Sequence, residues 1–466
     1  MNIRADSVAS RQATRLDAID GRFDPWLLVC GIALASLGLV MVASSSLGIV
    51  EARGLSPLHY FIRHAVYLAV GVVLAALIMM KGDVRRIEQY GRWLPLLGIV
   101  LLLLVLVPGL GHTVKGARRW INFGPVGFQP AEAVKLIMIV WLASYLARFS
   151  DEVRGSWKSI IKPFSVALLF SVILLGVQKD FGTTALVLGI TAGMVLLGGV
   201  YLPRIILPLA ALIPFGALAI LMEPYRVKRF ISFRDPWQDP FGDGYQLSNA
   251  LMAVGRGEFW GVGLGGSIQK LQYLPEPYTD FIMAVIAEEL GFVGVCVVVL
   301  LFTVLVGRAF WIGVQCVEMR REFSGYLAFG IGMWIAMQAF ISIGVNLGIL
   351  PTKGLTLPMV SSGGSSVLTT CIALGLLLRV SWELERAKRQ VALRREAAGL
   401  AAAAIASPVL VAEPVAESPR KAAKVAAQRV QSLQAGMRAW IAERFERGGA
   451  APRQRIAPNF GGASSQ

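Results

Sequence analysis

The chain has 466 residues, 55% of them hydrophobic and only 16% charged, with a formal net charge of +16 and a mean hydropathy of +0.62. Soluble domains carry roughly a quarter charged residues, so this balance, with its long apolar runs, excludes an ordinary soluble enzyme. Four cysteines without a CxxC pair and three histidines without the spacing of a metal helix indicate neither a disulfide framework nor a metal site.

A polar segment, 1–24, precedes an apolar run from Trp26 to about Val50. That run is long for the core of a cleavable signal peptide and reads as a retained first helix. Roughly 20 apolar residues cross a hydrocarbon core of about 30 Å, and backbone groups there must bond internally. On that basis the sequence predicts an all-α integral membrane domain over 25–382. Its spans fall near 26–50, 62–80, 93–108, 130–148, 163–178, 181–200, 203–222, 281–307, 325–348 and 362–382. Basic residues recur in alternate loops: Lys81, Arg85, Arg86 and Arg92; Arg148, Arg154, Lys158 and Lys162; Arg308, Arg320 and Arg321; then Arg379, Arg386, Lys388 and Arg389. The positive-inside rule makes these loops and both termini cytoplasmic.

The opposite loops run against that bias. Lys115, Arg118 and Arg119 lie outside, as do Arg226, Lys228, Arg229, Arg234, Lys270 and Lys353. Either long outer loops are exempt from the rule, or an anionic ligand sits at the outer surface. The longest outer loop, Glu223–Thr279, joins spans seven and eight, and a loop of that length is usually functional. Within it Tyr245–Phe259 has a helical apolar face. Gly261, Gly263 and Gly266 match GxGxxG, but no strand precedes them, so they read as tight turns rather than a nucleotide site. The basic tail, 383–466, carries Pro408, Pro414 and Pro419 and is expected to be mostly disordered. Val430–Phe445 is the exception, a basic amphipathic helix that would lie on the inner leaflet.

Several polar residues stand where a membrane disfavours them. Glu132 and Lys135, spaced i and i+3, can pair on one helix face, structurally or around a substrate. Asp280 opens span eight from the outside, with Glu288 and Glu289 further in. Its position next to water and a basic loop suits a general base, whereas the two glutamates suit a role in organising the cavity. Asp180 is either a site residue or the N-cap of the following helix. In Pro351–Ser366, Lys353 supplies a point charge, and Thr356, Ser361 and Ser365 supply donors before a helix N-terminus. An ordinary loop leading into the helix is the plainer reading.

Together the motifs GARRWINFGPVGFQPAEAVKL, QKDFGTT, RDPWQDPFGDGYQLSNALMAVGRGEFWGVGLGGSIQKLQYLPEPYTDFIMAVIAEELG and LPTKGLTLPMVSSGGSS resemble the SEDS family (shape, elongation, division and sporulation). The TKGLTLP wording resembles its division branch rather than its elongation branch. The resemblance implies an inverting peptidoglycan glycosyltransferase that polymerises lipid II at the outer face of the bacterial inner membrane, at the septum, releasing undecaprenyl pyrophosphate. It implies Asp280 as general base. It implies Arg63, Lys115, Arg118, Arg119, Lys179 and Lys353 as phosphate or sugar contacts, and Glu132 with Lys135 as shapers of the cavity. Implied partners are a class B penicillin-binding protein transpeptidase and other division proteins. No nucleic acid is implied and no cofactor is evident, while a divalent-cation requirement stays open. Tyr278, Ser362 and Lys179 depart from the usual His, Tyr and Pro of the family. Two other functions compete: a lipid II flippase, disfavoured because no paired Gly/Pro-broken spans occur in corresponding halves, and a division-complex scaffold.

Overall fold

The computed structural model describes residues 20–406, except 55, 115, 124, 125, 222 and 223, and four single positions beyond, 428, 431, 432 and 435. Lys115 and the predicted tail helix Val430–Phe445 therefore lie outside the described residues, apart from three single positions of that helix. The chain divides after Arg394, and of the second unit the structure describes the end of one helix and the four single positions.

The helices, in chain order, are α1 (Pro25–Ala52), α2 (His59–Lys81), α3 (Val84–Tyr90), α4 (Leu94–Leu104), α5 (Pro130–Arg148), α6 (Ser150–Gly155), α7 (Trp157–Gly176) and α8 (Phe181–Leu197). They continue with α9 (Leu202–Leu221), α10 (Pro224–Arg234), α11 (Tyr245–Gly257), α12 (Ile282–Glu318), α13 (Glu322–Asn346) and α14 (Gly364–Ala406). Among the described residues, 8 helical stretches are long and apolar enough to cross a membrane, and two shorter apolar helices, Phe181–Leu197 and Leu202–Ala211, fall where two further spans are expected. The chain is an integral membrane protein. At its centre α5 is buried along nearly its whole length and packs on α4, α8 and α13. The first helix begins where its apolar run suggests, with Asp24 capping it by accepting from Leu27 N at 3.1 Å.

Two features extend the all-α expectation. A three-stranded antiparallel sheet follows α4: β1 (Gly111–Val114), β2 (Ala117–Phe123) and β3 (Val126–Phe128), in that order. Gly111 pairs with Ile121, and Ile121 with Phe128. Its Thr, Val, Ile, Trp and Phe residues favour extended backbone, and Gly116 turns between the first strands at φ +76°. The second feature is α14, which runs through the expected tail boundary at 383 to Ala406. Arg379 pairs with Glu383 one turn on, Arg321 reaches the same carboxylate, and Lys388 pairs with Glu385. These contacts and the helix-forming Ala, Glu, Lys and Arg of this stretch carry the helix beyond its apolar part.

The long outer loop is fastened to α12 by backbone rather than by side chains alone. α12 breaks at Gly291, whose φ of +66° and ψ of −164° are not helical. The break strands carbonyls above it and amides below it, and residues 258–263 satisfy them. Val262 and Gly263 N–H donate to the carbonyls of Glu288 and Glu289, both at 3.0 Å. Phe292 and Val293 N–H donate to Glu258 and Phe259 at 2.9 and 3.2 Å. This approach needs glycines. A β-carbon on Gly261 would stand 2.2 Å from the Glu289 carbonyl oxygen, and one on Gly257 1.8 Å from that of Ala287. Of the GxGxxG match, Gly261 thus serves packing, while Gly263 at φ +94° serves the turn and has open space where a β-carbon would stand. Gly257→Ala should lower unfolding stability by about 1–3 kcal/mol. Gly255→Ala, where an added carbon meets nothing within 4 Å, should leave it equal or slightly raised. Thermal unfolding of the two purified variants checks the contrast.

Candidate active site

Asp280 lies in a short non-helical stretch, 276–281, held on three sides. Glu276, at φ +54°, uses its carbonyl to accept from Thr279 N–H at 3.2 Å and Phe281 N–H at 3.4 Å. Asn346, at the end of α13, donates from Nδ2 to the Asp280 carbonyl at 2.9 Å and accepts Ala284 N–H on Oδ1 at 3.0 Å. One amide thus caps α12 and fixes the aspartate's backbone. From the third side, Ser361 Oγ donates to the Thr279 carbonyl at 2.6 Å and Ser362 N–H to the Tyr278 carbonyl at 2.9 Å.

That grip brings the TDF and TKGLTLP motifs together. The half-buried Asp280 faces Gly354 so closely that a β-carbon there would be 2.8 Å from Oδ2. Lys353, next in chain, holds its ammonium 3.9 Å from the ring centroid of Phe181, a cation–π contact. Phe181 opens α8 behind Asp180. Asp180 accepts from Thr183 N at 3.0 Å and Thr183 Oγ1 at 2.8 Å, which makes it the N-cap. Arg119 of β2 donates from Nε to the Gln178 carbonyl at 2.8 Å and from Nη2 to that of Lys179 at 3.1 Å. Lys179 itself is exposed, at φ +51°. Arg118 holds the Leu106 carbonyl at 3.2 Å. Arg119 therefore ties the hairpin to the start of α8, beside Lys353 and Phe181, while Arg118, its neighbour on the strand, points to the opposite face, toward the chain past α4.

The Glu132–Lys135 pair forms at 2.9 Å with Lys135 fully buried. Lys135 also donates to Gln338 Oε1 at 2.7 Å and lies 5.1 Å from the Trp334 ring centroid. Gln338 Nε2 then donates to the Thr356 carbonyl at 2.9 Å. Thr356 Oγ1 donates to Ser366 Oγ at 2.9 Å, and Ser365 Oγ accepts Gln129 N–H at 2.8 Å. The buried charge is satisfied on several sides, and its network ends on the loop that bears Lys353.

Arg63 is exposed on α2, one turn beyond Tyr60. Lys270, expected as an outer charge facing an anion, is instead 3% exposed and bonds Glu289 at 2.7 Å and Ser44 Oγ at 3.0 Å. The cause is the break in α12. It draws residues 258–270 against the helix, so that Lys270 meets Glu289 while Glu288 takes Arg256 at 2.6 Å, the Ser267 hydroxyl and Ile268 N–H at 3.0 Å. The two glutamates organise the loop rather than face an open cavity.

Residues 25–386 match the family model FTSW_RODA_SPOVE, described as cell cycle protein. The chain belongs to that family. Among its relatives, the probable peptidoglycan glycosyltransferase FtsW of Xanthomonas oryzae is 58% identical over 409 residues, 87% of this chain and 83% of that one. The probable FtsW of Aromatoleum aromaticum is 46% identical over 370 residues, 78% of this chain and 90% of that one. The fold is similar to a chain of a peptidoglycan synthase complex that coordinates polymerization and crosslinking. The TM-score is 0.61 at 28% identity, over 78% of this chain and 98% of that one. Rod shape determining protein RodA of Thermus thermophilus is similar with a TM-score of 0.52 at 27% identity, over 77% and 96%.

Within this family member, sequence reasoning overlooked Asn346 and Gln338. Both are uncharged amides in an apolar helix, two turns apart and so on one face of α13. That spacing of polar groups in a span was the available signal.

Proposed function

We infer that the chain is a peptidoglycan glycosyltransferase of the division type, acting on lipid II. Asp280 is its general base, and the transpeptidase partner, the septal site of action and the outer-face chemistry are part of the same reading. The observation that carries it is the meeting of Asp280 with the Lys353–Gly354 segment beside the start of α8, where Arg119 and Lys179 stand. In that arrangement Asp280 takes the proton from the attacking sugar hydroxyl as the new C1–O bond forms. The C1–O bond to the pyrophosphate breaks on the opposite face, and the leaving group's negative charge develops near the cationic groups. Lys353 provides a compact point charge and Arg119 forked donors.

The test is a polymerisation assay with the full-length protein, its class B penicillin-binding partner and purified lipid II in proteoliposomes. Glycan strands that lengthen with time are the expected product. Lipid II crossing the bilayer with no strands formed would overturn the reading in favour of a flippase.

A further inference from the structure

The side chain of Tyr278, two residues before Asp280, is not used in that chemistry, yet it is among the most closely held groups near it. Tyr278 and Tyr60 are each 6% exposed, and their rings lie 4.4 Å apart at 32°. Tyr60 is on the first turn of α2. Its hydroxyl accepts from Nη1 of Arg53, just past the end of α1, at 2.6 Å. The exposed Arg53 thus holds one of a pair of buried, stacked phenols, and the other lies in the stretch that carries Asp280. Buried phenols need partners for their hydroxyls. The stack on Tyr278 therefore joins that stretch to the start of α2 and, through Arg53, to the end of α1.

We propose that Tyr278 is a positioning residue for Asp280, set by its stack on Tyr60, which Arg53 holds in place. The proposal rests on the glycosyltransferase reading above. The backbone bonds at 278, 279 and 280 fix three carbonyls, all made from α13 and the Ser361–Ser362 turn. The tyrosine stack is the tie to α1 and α2, on a different side. Without it the stretch loses its tie to α1 and α2, and the carboxylate can shift from Gly354. Burial pushes the Tyr278 phenol above its ordinary pKa, so it stays a neutral donor throughout the range in which the enzyme works.

The test is steady-state polymerisation of lipid II by the full chain with its transpeptidase partner, on Tyr278→Leu, Tyr278→His and Tyr60→Phe. A displacement of about 1 Å at a reacting group lowers turnover about a hundredfold. Tyr278→Leu should therefore lose kcat on that scale with KM unchanged. Tyr278→His, planar and able both to donate and to accept, should restore most of it. Tyr60→Phe keeps the stack but breaks the bond to Arg53, and it should lower kcat less than Tyr278→Leu does. Native turnover in a folded Tyr278→Leu protein would overturn the proposal, as would a loss confined to KM or a failure of His to rescue. If Tyr278→Leu does not fold, native turnover in a folded Tyr60→Leu protein, which lacks the stack, overturns the proposal. A native protein that makes no strands at all instead overturns the reading on which the proposal stands.

Discussion

Asp280→Asn removes strand synthesis while leaving the protein folded. Loss of a positioned general base lowers turnover by about 10²–10⁴, and the substitution keeps the side chain's size and shape. The backbone bonds at residues 278–280 do not involve the carboxylate, since Asn346, Ser361 and Ser362 all hold main-chain carbonyls. An amide fits beside Gly354 with the same shape. The variant's thermal unfolding should match that of the native protein, and its binding of the transpeptidase partner should persist. Activity that survived in a folded Asp280→Asn protein would remove the general base and favour a role in assembly instead.

Lys270→Met destabilises the protein by about 3–5 kcal/mol, because it leaves Glu289 as an uncompensated buried charge. Glu289 is fully buried and Lys270 nearly so, and Ser44 of α1 is the other side chain bonded to that carboxylate. The loss should appear in thermal or denaturant unfolding. Lys270→Met combined with Glu289→Leu should recover much of it, since replacing both members of a buried pair is often neutral. A double variant no better than the single one would show that the charges do more than offset each other. Polymerisation per folded molecule should fall little in the double variant if the pair is purely structural.

The apolar runs made the spans legible, because a long stretch such as Ile282–Glu318 has few stable alternatives to a helix in a membrane. Asp180 was legible as a cap from its place before α8. The fate of Lys270 was not. Its partner lies 19 positions on, and the loop is drawn to it by a helix break at Gly291, which nothing in the sequence distinguishes from Gly294, a glycine of the same helix with no positive φ. The meeting of Asp280 with Gly354 was equally hidden, since it depends on how α12 and α13 return the chain to one end of the molecule. The small sheet escaped notice because its strands are only 3–7 residues long and carry arginines and an asparagine among their apolar residues.

The break at Gly291 also sets a depth. Arg308, paired with Asp24 near the inner end of the bundle, marks the lower boundary of hydrocarbon on α12. About 20 helical residues fill a bilayer core, and counting them upward from Arg308 reaches Glu288 and Glu289. The wedge of outer loop therefore sits at the upper boundary of the acyl chains, and Asp280 lies beyond it, at the level of the lipid headgroups. A polyprenyl-linked sugar can bring its pyrophosphate to that layer without drawing its tail out of the membrane. The lengthening polymer then meets water as soon as it forms.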